Sequence, residues 1–310
     1  MKKILYIQPI HPSGMNVLKQ KYEVSVAERE DKEYLKSIIG EYNGIVTRLT
    51  AIDKELIEQG RRLEVIAKHG VGTDNIDVEA AREKGIAVVT TGDANSSSVA
   101  EHTIFALGAL AKRVVYLDKS VRAGNWEARD EAGSVDFSSK NLGIIGFGRI
   151  GSKVAQIAKQ GFQASVYIYD PFKEEEEIQN KGYFYIKELD DLCKIADFLT
   201  VHIPLSEQTQ GLIDSRRLRL MKPTAYLANF SRGGIVKETD LYEALDSGVI
   251  AGAAVDAFET EPPKPDLPLL RTNSVLLSPH CGTFSEDSKE RMSMAVAQGI
   301  DRVLGGKETL

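Results

Sequence analysis

Short apolar runs, each bounded by polar or glycine-bearing segments, recur along the whole chain. Between Lys2 and Thr91 they read KKILYIQ, YEVSVAE, YNGIVTR, LEVIAKHG and IAVVTT, and helical stretches such as PSGMNVLKQK and DVEAAREKG lie between them. Strand-like and helix-like segments in alternation predict parallel strands with helices laid on the sheet faces. From Asn141 a second series begins: LGIIGFG, ASVYIYD, DFLTVHIP, AYLANF, IAGAAVD and SVLLSP. These runs are apolar almost throughout, the pattern of strands covered on both sides. The predicted fold class is α/β, with two doubly wound parallel-sheet domains. The segment NSSSVAEHTIFALGALAKRVVYLDKSVRAGN between the two series reads as one long helix. Ser98 and Glu101 fit a capping box, apolar positions continue through Leu117, and Gly124 supplies a stop. Glu174 to Glu177 reads as a solvated helix start.

Composition narrows the partners. With 310 residues, 42% of them hydrophobic, the chain is long enough for two buried cores. The net charge is −6, and lysines and arginines are interspersed with acids, which is the wrong footprint for nucleic acid or an anionic membrane. A small-molecule partner is expected. The opening MKKILYIQPI has too few apolar residues before Gln8 and Pro9 for a signal peptide, and no membrane-length apolar run follows, so a cytoplasmic protein is expected. Cys193 and Cys281 are the two cysteines and show no paired spacing, so neither a disulfide framework nor a metal site is expected.

Two features carry chemistry. In LGIIGFGRIGSKVAQIA, Gly146, Gly148 and Gly151 stand in G-x-G-x-x-G spacing after a strand and at the opening of a helix. Such glycines allow a tight turn and close backbone approach, so a pyrophosphate can sit on the exposed N–H groups and positive end of the helix. The plainer alternative is a tight strand-to-helix turn and nothing more. The next strand ends in Asp170, where a carboxylate can accept bonds from an adenosine ribose and repel a 2′-phosphate, so NAD is expected over NADP, with Lys173 nearby as a complication.

Ligands of doubly wound sheets bind at the carboxyl ends of strands. AYLANFSRGGIV delivers Arg232 there, AGAAVDAFETEPP delivers Asp256 and Glu261, and SVLLSPHCG delivers His280. An arginine, a carboxylate and a histidine at one rim suggest anion binding and proton transfer. A thiol nucleophile at Cys281 with His280 as its base is disfavoured, because neighbours on an extended segment point to opposite sides.

At these residues the sequence resembles the D-isomer-specific 2-hydroxyacid dehydrogenases over nearly the whole chain. GVGTDNID (Gly70 to Asp77) and NSSSVAEHT look like that family's substrate-loop and linking-helix motifs, followed by GIIGFGRIG, TVHIPLSEQTQGLI, NFSRGGIV, AVDAFETEPP and SPHCG. The resemblance implies a substrate domain of residues 1–100 plus 285–310, with an NAD-binding Rossmann domain of residues 101–284 inserted into it. It makes His280 the proton donor and acceptor, Glu261 its partner, and Arg232 the anchor of the substrate carboxylate and carbonyl. Backbone amides of Val71 and Gly72 would hold the carboxylate. Arg149 and Ile150 would meet the pyrophosphate and Asp170 the ribose; Pro204 and Thr209 would border the adenosine, and Phe230, Asp256 and Gly282 the nicotinamide. Cys281 and Lys237 depart from the family's usual residues, an aliphatic side chain and an acid or amide respectively.

Lys68 stands just before the carboxylate-binding loop, where the phosphoglycerate dehydrogenase branch can carry a basic residue for a second anionic group, and Arg48 ends another strand. The implied substrate is 3-phosphoglycerate or 3-phosphohydroxypyruvate. If Lys68 and Arg48 are only solvated strand-end charges, glyoxylate, hydroxypyruvate or another small 2-oxo acid fits instead. The chain ends soon after His280, so feedback control through an additional regulatory domain is not expected. An NAD-sensing co-repressor is the reading from a different class. Formate or phosphite oxidation is a further alternative, although formate dehydrogenases typically have glutamine where Glu261 stands. The linking helix and Trp126 resemble the family's dimer region, so a homodimer is expected.

Overall fold

The computed structural model of the chain describes residues 1–306. Two compact units are present: Met1–Asn95 together with the segment from Thr283, and Ser96–Gly282.

The first unit is built on β1 (Lys3–Tyr6), β2 (Glu23–Val26), β3 (Gly44–Thr47), β4 (Val65–Lys68) and β5 (Ala87–Val89). They form one parallel sheet in the order β2-β1-β3-β4-β5. Side chains alternate between its faces. Leu5, Ile45 and Ile66 join a cluster with Leu35, Ile39 and Leu56 on one side, while Ile4, Tyr6, Val46 and Val65 join Val296 and Ile300 on the other. The second cluster explains why the C-terminal helix Glu286–Leu304 belongs to this unit. It lies against the helix Pro12–Leu18 so closely that a Cβ on Gly14 would stand 2.1 Å from the Ser293 carbonyl oxygen. Residues 307–310, assigned to this domain from sequence, lie outside the described residues.

The second unit holds β6 (Asn141–Ile145), β7 (Ser165–Tyr169), β8 (Phe184–Tyr185), β9 (Phe198–Val201), β10 (Tyr226–Asn229), β11 (Gly252–Val255) and β12 (Val275–Leu277). The parallel order is β12-β11-β10-β9-β6-β7-β8. β9, β10 and β11 are buried at every position, as their unbroken apolar runs predict. The chain leaves and re-enters the first unit at Asn95/Ser96 and Gly282/Thr283, a few residues before Ala100 and Phe284. The reason is that the helix from Ser96 packs into the second core from its first turn, through Val99, Ala100, Ile104 and Leu107.

One expectation needs correction. The long helix from Ser98 to Gly124 is two helices, Ser96–Ala111 and Val114–Arg122, parted at Arg113 in the left-handed region with φ 53°. Ser98 is therefore inside the first turn, and the Ser98/Glu101 pair is no capping box. The first helix buries residues from Ser96 to Ala111, whereas the second buries only Ser120, so the chain turns out of the core between them. Apolar positions continue from the first helix into the second, through Val114, Val115 and Leu117, which is why the pattern alone joined them. No helix among the described residues is long and apolar enough to cross a membrane.

Candidate active site

In the second unit the strand order reverses direction between β6 and β9, the crevice where doubly wound sheets take ligands. Gly146 follows β6 with φ 93°, and a Cβ there would stand 2.6 Å from the His202 carbonyl oxygen beyond β9. The helix Arg149–Phe162 starts at Gly148, whose position offers no side-chain cap to the first amides. A Cβ on Gly148 would meet no atom within 4 Å, so open room lies over that helix end. Gly151 does the opposite: its Cβ would be 2.0 Å from the Gly146 carbonyl oxygen, so the third glycine lets helix and strand close on each other. An uncapped helix start with open room above it fits a pyrophosphate. Arg149 and Ile150 are the first two residues of that helix, the former exposed and the latter half-buried.

Asp170 ends β7, and its two oxygens accept from the backbone N–H of Phe147 at 2.8 Å and of Phe172 at 2.9 Å. Those bonds aim the carboxylate beside the glycine turn. Lys173 does not answer it: its Nζ lies 2.9 and 3.1 Å from the two oxygens of Glu177, which also takes Lys181 at 3.0 Å. The two lysines hold the Glu177 carboxyl below its usual range. After β9 the Thr209 hydroxyl donates to the Pro204 carbonyl at 2.7 Å and accepts from the Ser206 N–H, tying that loop into one turn.

The ends of β10, β11 and β12 are in register, Asn229 beside Val255 and Val255 beside Leu277. Arg232, Asp256 and His280 follow these ends directly. Asn229 shapes the first loop, donating to the Arg232 carbonyl at 2.8 Å and accepting from Ser231. Arg232 itself donates from Nη1 to the Ser231 carbonyl at 2.8 Å. A Cβ on Gly233 would stand 1.9 Å from the Phe258 carbonyl oxygen, so this loop lies directly on the one that leads to Glu261. Glu238 and Glu259 exchange reciprocal bonds across the same contact, the Glu259 N–H donating to Glu238 at 2.6 Å and the Glu238 N–H to Glu259 at 3.0 Å. Burial, then the neighbouring carboxylates, raise the Glu238 pKa.

Nδ1 of His280 stands 2.9 and 2.8 Å from the two oxygens of Glu261, and Glu261 also accepts from the Phe258 N–H at 3.0 Å. A carboxylate only accepts, so Nδ1 carries a proton and Nε2 is left for chemistry. His280 has φ 49°, unusual for a residue with a side chain, and its N–H donates to the Asp256 carbonyl at 2.8 Å. Asp256 is 2% exposed; its carboxylate accepts from the Ser278 hydroxyl at 2.5 Å and from the N–H groups of Cys281 and Gly282 at 2.9 Å each. It thus clamps the turn that carries His280. Phe230 is buried, with its ring centroid 5.1 Å from that of His102.

The remaining sequence-predicted residues lie in the first unit. Arg48 follows β3, its N–H donating to Gln8 at 2.9 Å and its guanidinium lying 5.4 Å from the centre of the Phe284 ring. Lys68 ends β4 and donates to the Arg48 carbonyl at 2.6 Å and to the Asn75 side chain at 2.5 Å. Val71 and Gly72 sit in the loop beyond, Val71 exposed and Gly72 half-buried. Between them and Lys68 lies His69, 4% exposed, whose pKa falls to about 4 through burial first and then the charges of Arg48 and Lys68. Sequence reasoning missed Asn75, His102, Asn229, Glu238 and Ser278, because their contacts are made by residues distant in the chain or by loop geometry.

Residues 104–282 match the family defined as the D-isomer specific 2-hydroxyacid dehydrogenase, NAD binding domain. This chain belongs to the D-isomer-specific 2-hydroxyacid dehydrogenase family. The match contains the glycine turn, Asp170, Arg232, Glu261 and His280, and NAD is the cofactor of this domain. A D-3-phosphoglycerate dehydrogenase of Methanocaldococcus jannaschii is 40% identical over 99% of this chain and 58% of its own length. The chain thus spans little more than half of that relative. A glyoxylate reductase of Pyrococcus furiosus is 36% identical over 96% of this chain and 91% of its own. Among solved structures, an NADPH-dependent glyoxylate/hydroxypyruvate reductase of Sinorhizobium meliloti has a TM-score of 0.87 at 28% identity, covering 100% of this chain and 97% of its own.

Proposed function

We propose that this chain is an NAD-dependent D-2-hydroxyacid dehydrogenase that interconverts a D-2-hydroxy acid and its 2-oxo acid. The observation that carries the reading is the His280 imidazole held by both oxygens of Glu261 at the strand ends of an NAD-binding domain, with Arg232 on the adjoining loop. NAD supplies the acceptor of the hydride from C2 in oxidation and, when reduced, its donor. His280 Nε2 takes the hydroxyl proton in oxidation and returns it to the carbonyl oxygen in reduction, while Glu261 stabilises the imidazolium and fixes its orientation. Arg232 grips the carboxylate and polarises the carbonyl with its fork of donors. Arg149 and Ile150 present the helix amides to the pyrophosphate, Asp170 accepts from the ribose, Pro204 and Thr209 border the adenosine, and Phe230, Asp256 and Gly282 shape the nicotinamide side. In the first unit, which we take as the substrate domain, the amides of Val71 and Gly72 serve as carboxylate donors.

For the substrate we propose 3-phosphoglycerate, which would make serine synthesis the enzyme's setting. Support comes from the two cations Arg48 and Lys68 at adjacent strand ends and from the naming of relatives such as the Methanocaldococcus jannaschii protein. One observation favours a second reading: Lys68 already donates to the Arg48 carbonyl and to Asn75, which suits a structural lysine and a small substrate such as glyoxylate or hydroxypyruvate. NADH oxidation at 340 nm against 3-phosphohydroxypyruvate, hydroxypyruvate, glyoxylate, pyruvate and oxaloacetate tests both. Preference for the phosphorylated acid supports the first, preference for an unphosphorylated one the second, and no turnover on any would return the NAD-sensor reading.

We also propose a homodimer in the cytoplasm. The helices Ser96–Ala111 and Val114–Arg122 and the turn after them leave Phe105, Val114, Val115, Val121 and Trp126 exposed, 72% and 67% for the two aromatic residues. An apolar surface of this kind suits a two-fold partner. Sedimentation at the mass of one chain would rule the dimer out.

A further inference from the structure

Beside the proposed acid–base pair lies a set of donors the mechanism does not use together. His102 comes from the helix Ser96–Ala111, Asp256 from the end of β11, and Cys281 from the turn after His280. One imidazole nitrogen, one carboxylate oxygen and the thiol sulfur of these residues all lie within 4.8 Å of one another. We propose that they form a binding site for one divalent ion of the zinc class, contiguous with the loop that carries His280.

The donor set suits such an ion. Nitrogen, sulfur and oxygen in one site match a borderline-soft divalent metal, and three protein ligands leave a fourth position for water. In a tetrahedral site, ligand atoms stand about 3.5 Å apart at ordinary metal–ligand lengths. The longest pair must therefore close by about an ångström, within reach of side-chain rotation at two half-buried residues. Asp256 has the support a ligating carboxylate needs. It accepts from the Ser278 hydroxyl and from two backbone N–H groups, which fixes its position. Those bonds occupy three of its roughly four acceptor directions, and the fourth faces the Cys281 thiol, whose loss of a proton frees it for a metal. The His102 ring is steadied by its tilted contact with Phe230, with centroids 5.1 Å apart. On binding, a metal–sulfur bond forms and the Cys281 thiol proton passes to solvent; the thiolate and the Asp256 carboxylate then balance the double charge.

The site departs from the expectation of no metal, which rested on cysteine spacing, and its three members lie far apart in the chain. Function follows from position. An ion here joins the helix Ser96–Ala111 to Cys281 and Asp256, and Asp256 also receives the His280 N–H at its carbonyl, so occupancy fixes the turn in one arrangement and acts as an inhibitory brake.

Cobalt(II) titration of the purified chain tests the site without turnover. One equivalent should bind and give a thiolate-to-cobalt charge-transfer band in the near ultraviolet, and the band should vanish in both Cys281→Val and His102→Phe. Failure to bind one equivalent, or a band surviving in either variant, overturns the site. Zinc should in addition lower turnover by about tenfold in the parent and leave Cys281→Val essentially unaffected; equal inhibition of both overturns the brake. A chain that turns over no 2-oxo acid would fail the dehydrogenase proposal, yet the cobalt band would still decide this one.

Discussion

His280 Nδ1 and the Glu261 carboxylate meet in a two-oxygen contact, 2.9 and 2.8 Å. The contact fixes the ring and leaves Nε2 as the working atom. His280→Ala should lower kcat by about 10²–10⁴ while the NADH Kd stays nearly unchanged. Glu261→Gln keeps an acceptor but removes the charge, so its kcat should fall between the two. Stopped-flow turnover and NADH fluorescence titration on both variants give the comparison. Native turnover in His280→Ala would remove the residue from the chemistry.

Two glycines three residues apart should answer alanine in opposite ways. At Gly148 the added methyl meets no protein atom, so thermal stability should hold within about 0.5 kcal/mol while the NADH Kd rises about tenfold or more. At Gly151 the methyl overlaps the Gly146 carbonyl, 2.0 Å away, and stability should fall by about 1–3 kcal/mol. Calorimetry and cofactor titration separate the two. A Gly148→Ala protein with unchanged NADH affinity would move the pyrophosphate elsewhere.

Lys68 offers a test of substrate class. With a phosphorylated substrate, Lys68→Met should cut kcat/KM for 3-phosphohydroxypyruvate about tenfold more than for glyoxylate. Equal losses on both would mark the lysine as loop structure, in keeping with its bonds to the Arg48 carbonyl and Asn75.

Acid should destabilise the first unit through His69. Its pKa falls from 6.5 in the free side chain to about 4 in the fold, so the folded form binds fewer protons than the unfolded one between those values. The stability contributed by the neutral ring is present above pH 6.5 and drains away as pH falls towards 4. From pH 7 to pH 5 the loss is about 2 kcal/mol. Urea unfolding at the two pH values should show a shallower decline by that amount in His69→Phe; parallel declines would place the proton elsewhere.

What the sequence made legible were features written in short spacings. Apolar runs located the long strands of both sheets, and the glycine triplet with Asp170 located the helix start and the carboxylate beside it. The pairing of His280 with Glu261, nineteen positions apart, came through family resemblance, since nothing in the residues between them says that the chain doubles back. β8 escaped notice because a strand of two residues has no period to read. The break at Arg113 was hidden for a different reason: apolar residues continue on both sides of it, and no glycine or proline marks the left-handed residue. Asp256 was legible as a strand-end carboxylate, but its bonds to the backbone and hydroxyl of a turn more than twenty residues downstream were not. Contacts of that kind depend on strand order, and strand order is a property of the assembled sheet.

The left-handed backbone at His280, φ 49°, sets selection for durability against selection for turnover. Any L side chain there strains the backbone by about 1–2 kcal/mol, and glycine would relieve it. Screening variants for heat resistance alone should therefore enrich glycine at position 280, producing hardier and inert proteins. Only a screen that also demands product should retain the imidazole.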